Sequence, residues 1–155
     1  MRAHFIVSPL LWALPAAGCL FSCNKVYEGE QLSPKTSQRL QRLGLLNPGE
    51  KIYQFYSNAP NKAAGAGNFY TSERIAQYWL DDDKQKTQLS FAYYKDITRI
   101  DTTYLDKTLT YISYMVITRK DGSQFQVYVG GNKLVVSAFF EHSIAHWKAA
   151  TCSSN

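Results

Sequence analysis

No stretch of the 155 residues is both long and apolar enough to cross a bilayer as a helix: the strongest candidate, Phe5 to Leu14, is interrupted by Pro9 and followed by Pro15. Cysteine is sparse, with three in all, and Cys19, Cys23 and Cys152 have no metal-ligand spacing. Charge is not blocked. Lys62, Arg74, Lys84, Lys86, Lys95, Arg99, Lys107 and Arg119 are scattered along the chain, and the net charge of +5 falls to +4 if Arg2 is lost with a leader. Scattered charge reads as a solvated surface, which argues against nucleic-acid binding. Chemistry-bearing motifs are missing too: there is no HExxH, no P-loop and no nucleophile elbow, and no pair of carboxylates stands at glycosidase-like positions in the sequence.

What remains is modest. His142 and His146 stand four apart on an expected helix, a spacing that can grip a metal ion, yet the sequence places no third ligand. Asp81, Asp82 and Asp83 are consecutive, so on an extended chain they point to alternate sides, and the EF-hand spacing with its glycine is absent. They read as a solvated turn. Neither a metal nor a cofactor is expected, and the chain reads as non-enzymatic.

Aromatic residues are plentiful, with eleven Tyr and eight Phe. In alternating runs they suit half-buried strands, with Tyr rings inside and hydroxyls wet. At this length roughly two thirds of the unfolded surface can be buried, enough for one domain with a core of its own.

The first 23 residues have a basic start at Arg2, the short apolar run, and small residues Ala16, Ala17 and Gly18 before Cys19. That is the pattern of a secretory signal. It resembles the precursor of a bacterial lipoprotein, in which small residues precede a cysteine that is lipidated and becomes the new N-terminus. The resemblance implies a signal over residues 1–18 and lipidation at Cys19, with Cys23 and a signal end at 22 as the alternative. An ordinary cleaved signal is the reading left if neither is lipidated. Several acyl chains, at about 0.8 kcal/mol per buried CH2, would hold the domain on the extracytoplasmic side of a cell-envelope membrane. Cys152 could pair with the cysteine left over.

Residues 19–45 read as a polar tether and a short helix over 35–43, with Ser33-Pro34 as its start and Gly44 just past its end. Strands are expected at 51–56, in two pieces around Ser72-Glu73 between 69 and 80, at 88–94 and at 96–104. Asn58 to Asn68 is expected as a loop carrying Lys62, and 151–155 as a disordered tail. Thr108 to Val129 gives a hairpin around Asp121-Gly122. Read as a two-residue turn, it pairs Thr118 with Phe125, Val116 with Val127 and Tyr114 with Val129 on a core face, leaving Met115, Ile117 and Tyr128 outside. The last element is an amphipathic helix over 132–150, with Val136, Phe140, Ser143 and Trp147 along one face.

The expected fold is therefore mainly β with a C-terminal α-helix: a small antiparallel barrel or sandwich of about seven strands, capped by the helix. Over residues 46–150 this order resembles the PH-like superfold, in particular GRAM and bacterial PH-like domains. The residues that carry the likeness are Gly49-Glu50, Gly67 to Ile75, Lys95 to Ile100 and the Asp121-Gly122 hairpin. In lipid-headgroup-binding members of that superfold the first long loop is rich in Lys and Arg, whereas here it holds only Lys62. The resemblance thus implies the scaffold without the headgroup site.

These readings lead to an envelope lipoprotein that acts as a binding or structural module for an unidentified envelope protein. Its contact residues are expected to be Met115, Ile117 and Tyr128 on the hairpin's outer face, together with Lys62. The blander alternative packs Leu40 and Leu43 of the first helix on that face. A carrier of a small apolar ligand or lipid in an open barrel interior is the second functional reading, and a hydrolase with an unrecognised site the third.

Overall fold

The computed structural model describes residues 26–57, 65–105 and 112–152 of the chain. Within these residues eight strands form two antiparallel meanders. β1 (Val26–Glu28), β2 (Ile52–Tyr56), β3 (Ala66–Thr71), β4 (Arg74–Trp79) and β5 (Gln88–Tyr93) make one sheet in chain order; β6 (Ile97–Thr103), β7 (Ile112–Arg119) and β8 (Gln124–Gly130) make the other. A helix, α1 (Pro34–Arg42), lies between β1 and β2, and a second, α2 (Lys133–Cys152), follows β8. The molecule is mostly β with one long C-terminal helix, as expected. Its described residues form two sheets that do not close into a barrel by backbone pairing.

Side chains bridge the sheets instead. Arg119 on β7 donates from Nε and Nη2 to the Phe91 carbonyl of β5, at 3.1 and 2.9 Å, and Asn68 on β3 accepts from the Tyr128 amide of β8 at 3.0 Å.

Both faces of the five-stranded sheet are buried. Its inner face contributes Tyr56, Tyr70, Ile75 and Ala92 to a core shared with Met115, Ile117, Phe125, Val127 and Val129 of the smaller sheet and Val136, Phe139 and Phe140 of α2. Its outer face contributes Ile52, Phe55, Phe69, Ala76 and Tyr78, which meet Leu40 of α1 and the following Leu45 and Leu46. Gly67 lies on this second face because any side chain would strike the rings of Phe55 and Tyr78, with a Cβ only 2.4 Å from the former.

Helix α1 starts as the sequence implies: Ser33 caps it by accepting from the Thr36 amide at 3.3 Å, and Pro34 opens it. It packs on the outer face of the five-stranded sheet, where Leu40 joins Phe55, Phe69 and Tyr78, and not on the hairpin. Asn132 caps α2 through the Val135 amide at 2.9 Å. That helix runs on through Cys152, two residues into the expected tail. Val26–Glu28, expected as tether, pairs with β2 as an edge strand, and the expected loop gives way to β3 at Ala66. The leader, both N-terminal cysteines and Lys62 lie outside the described residues.

The hairpin is where the sequence reading needs correction. Arg119 and Ser123 close it, with the Arg119 amide donating to Ser123 at 2.9 Å and the Gly122 amide to Arg119 at 3.0 Å. The loop is thus three residues, Lys120-Asp121-Gly122, with Gly122 at φ +82° and the Asp121 carboxylate accepting from the Ser123 amide and hydroxyl at 2.9 and 2.6 Å. Those bonds, the hydroxyl's first, hold the Asp121 carboxyl below its ordinary range. The extra loop residue shifts the register by one: Ile117 faces Phe125, Met115 faces Val127 and Tyr114 faces Tyr128. In β7 the two faces are exchanged relative to expectation. Met115 and Ile117 are fully buried, and Ile112, Tyr114 and Val116 turn outward.

Candidate binding groove

The inner face of the five-stranded sheet extends beyond the edge of the smaller one, and the step between them is a groove of about 430 Å³. Its floor comes from Ala66, Asn68, Gln77, Trp79 and Gln88. Its wall comes from Tyr114 and Tyr128 on the outer face of the hairpin, with Ile112 and Leu105 at the end. The elements explain the placement. Strand alternation puts Gln77, Trp79 and Gln88 on the same face as buried Ile75, but past the point where α2 and the hairpin cover it. Asn68 holds β8 at the step, leaving Tyr128 40% exposed beside it.

Among the described residues, no charged side chain lines the groove. Its surface is mostly apolar, with five aromatic residues in the lining, and Asn68, Gln77 and Gln88 add amide groups. The Tyr128 hydroxyl donates to the Gln126 amide oxygen on the same outer face, and the Tyr114 and Tyr128 rings lie 6.0 Å apart. A smaller cavity of about 270 Å³ adjoins it through Leu105 and is lined also by Tyr104, Ser113, Asn132 and Lys133.

The large apolar side chains exposed among the described residues are Trp79, Leu89, Tyr104, Leu105, Ile112, Tyr128 and Leu134. All sit at one end of the molecule. Antiparallel pairing places the end of β4 beside the start of β5, and the end of β6 beside the start of β7 and the end of β8, where α2 begins. The two cavities join Trp79, Tyr104, Leu105, Ile112 and Tyr128. Val26, the first described residue, pairs with Tyr56 of the groove, so the chain enters the domain at this same end.

Of the expected contact residues, Tyr128 lies on the groove, whereas Met115 and Ile117 belong to the core and are unavailable to a partner. The outward apolar surface of the hairpin exists, but Ile112 and Tyr114 supply it. The space between the sheets is filled by the side chains of the inner core and α2, with Trp147 packed against them, so both cavities described above open to the outside.

Other sequence candidates are absorbed by structure. His146 stacks on the Tyr53 ring at 4.1 Å and leans on Tyr70; burial, with the nearby His142, lowers its pKa. Among the described residues no three potential ligands come together for a metal ion. Asp81 and Asp83 accept from the amides of Asp83 and Gln85 at 3.0 and 3.1 Å, which is turn chemistry.

A buried ion pair was not anticipated. Arg74 is 1% exposed and reaches Glu50 through Nε at 3.0 Å and Nη2 at 2.7 Å, while Phe91 and Tyr93 flank its guanidinium. Thr71 donates to the same carboxylate and accepts from the amides of Glu73 and Arg74, and Tyr94 donates to the Thr71 carbonyl at 2.6 Å. The carboxylate is fully engaged and no described cavity reaches it, so this network fixes the β3–β4 turn. The sequence offered only Glu50 and Arg74 as separate polar residues flanking strands.

Comparisons with protein-family models, with curated proteins and with solved structures return no match to this chain.

Proposed function

We propose that the protein is a lipid-anchored, non-enzymatic binding or structural module of the bacterial cell envelope, built on a PH-like arrangement and working through its aromatic groove. The PH-like reading draws support from the order of elements, two successive antiparallel meanders and then a helix laid against their shared core. The observation that carries the functional reading is an aromatic groove, uncharged among the described residues, open to the outside above a filled interior. Contact through a surface fits that geometry better than a ligand carried inside or a reaction, since the described lining of the groove offers tyrosine hydroxyls and amides in place of groups suited to acid–base work.

The anchor rests on the residues before Cys19 and is tested by detergent phase partitioning of the full chain. Wild type partitions into the detergent-rich phase and carries acyl chains by mass spectrometry; Cys19→Ala loses both, and Cys23→Ala does so instead if the alternative site is used. Retention of both in the double variant contradicts the anchor. Groove function is tested by Tyr128→Asp, which leaves the core untouched and abolishes whatever association the anchored wild type shows.

A further inference from the structure

We infer that the groove-bearing end of the domain is a bilayer-facing surface, whose occupant is the interfacial layer of the membrane that carries the anchor. The inference rests on the proposed anchoring and assigns a partner to the same site. Its basis is geometric. Exposed large apolar side chains of the described residues gather at one end, and the chain enters the domain there, where Val26 pairs with Tyr56.

Cys19 lies seven residues before Val26 and Cys23 three. A fully extended chain spans at most about 3.6 Å per residue, so the tether reaches about 25 Å from Cys19 and about 11 Å from Cys23. Six-residue strands are themselves about 20 Å long. A tether this short holds the Val26 end at the lipid surface; the opposite end, with the Asp121-Gly122 turn, could touch it only if the Cys19 tether ran back along the domain at full stretch.

The chemistry of this end matches that layer. Trp and Tyr rings with an apolar body and a polar tip favour the boundary between headgroups and chains, and the amides of Gln77 and Gln88 suit its mixture of water and ester groups. Trp79 is 55% exposed and Leu134 82%, a cost in water that burial in the interface removes. Among the described residues, Lys84, Lys86 and Lys133 border this end alongside Asp81, Asp82 and Asp83, so the described rim is mixed in sign. Docking therefore depends on apolar insertion and responds little to salt or to the anionic lipid content.

The test uses the full chain in a Trp12→Phe background, so that Trp79 and Trp147 are the emitting tryptophans, in phosphatidylcholine–phosphatidylglycerol vesicles with lipids brominated at shallow or deep chain positions. Mass spectrometry of the same sample records acylation. Loss of Trp79 emission with shallow bromines, absent once Trp79→Phe is added, is the expected result. Quenching without an acyl group keeps the docking surface and removes the anchor from the account. An acylated protein whose Trp79 emission is untouched by bromines overturns the inference and leaves the anchor standing. Unquenched Trp79 together with an envelope protein that copurifies with wild type, and not with Tyr128→Asp, also overturns it and gives the groove to a protein.

Discussion

Arg74 and Glu50 show how much a single buried pair can hold. Each satisfies the other by two parallel hydrogen bonds in a site closed to water, so removing one partner strands a charge. Arg74→Met is expected to destabilise the fold by about 3–5 kcal/mol, and adding Glu50→Gln to recover much of it, read by chemical denaturation. His146 gives a pH dependence of known sign. Burial holds its folded-state pKa below 6.5, so as pH falls the unfolded chain takes up the proton first. The contribution is complete above pH 6.5 and is lost as the pH drops below it toward the folded value. His146→Phe, which keeps a ring against Tyr53, removes that part of the slope in melting temperature against pH.

Among elements, the hairpin is decisive because one loop residue determines which face of β7 is the core. Met115→Ala is expected to cost about 2–5 kcal/mol as a buried truncation, while Val116→Thr, on the outer face, changes stability little. Gly122→Ala costs about 1 kcal/mol, since an L side chain is strained at its positive φ. A reversed order for the first two would restore the two-residue turn. Much of the fold is legible in the sequence: α1 with Ser33 and Pro34, the strand pairs around Ser72-Glu73, the core face of β8 and the buried face of α2 all follow from period and caps. β7 is not legible, because Ile112, Tyr114 and Val116 are as apolar as Met115 and Ile117, so periodicity fits either face. The groove was half legible for the same reason. Tyr128 stood out by alternation on β8, but Trp79 and Gln88 join it only through the way one sheet overhangs the other. β1 is not legible because three residues carry no period, and its pairing depends on β2 being present.

At the scale of the molecule, a filled core between two sheets leaves contact to the surface, and the exposed apolar groups of the described residues mark one end of it. The chain enters at that end, so the same geometry that would anchor the domain would also orient it, with α2 and the aromatic groove starting near the lipid and the Asp121-Gly122 turn pointing away. Site-specific photocrosslinking in living cells tests this orientation most directly. A photoreactive phenylalanine analogue placed at Tyr128 of the full chain is predicted to form adducts with phospholipid, while the same group at Asp121 forms none. Lipid adducts from Asp121, or protein adducts alone from Tyr128, would contradict it.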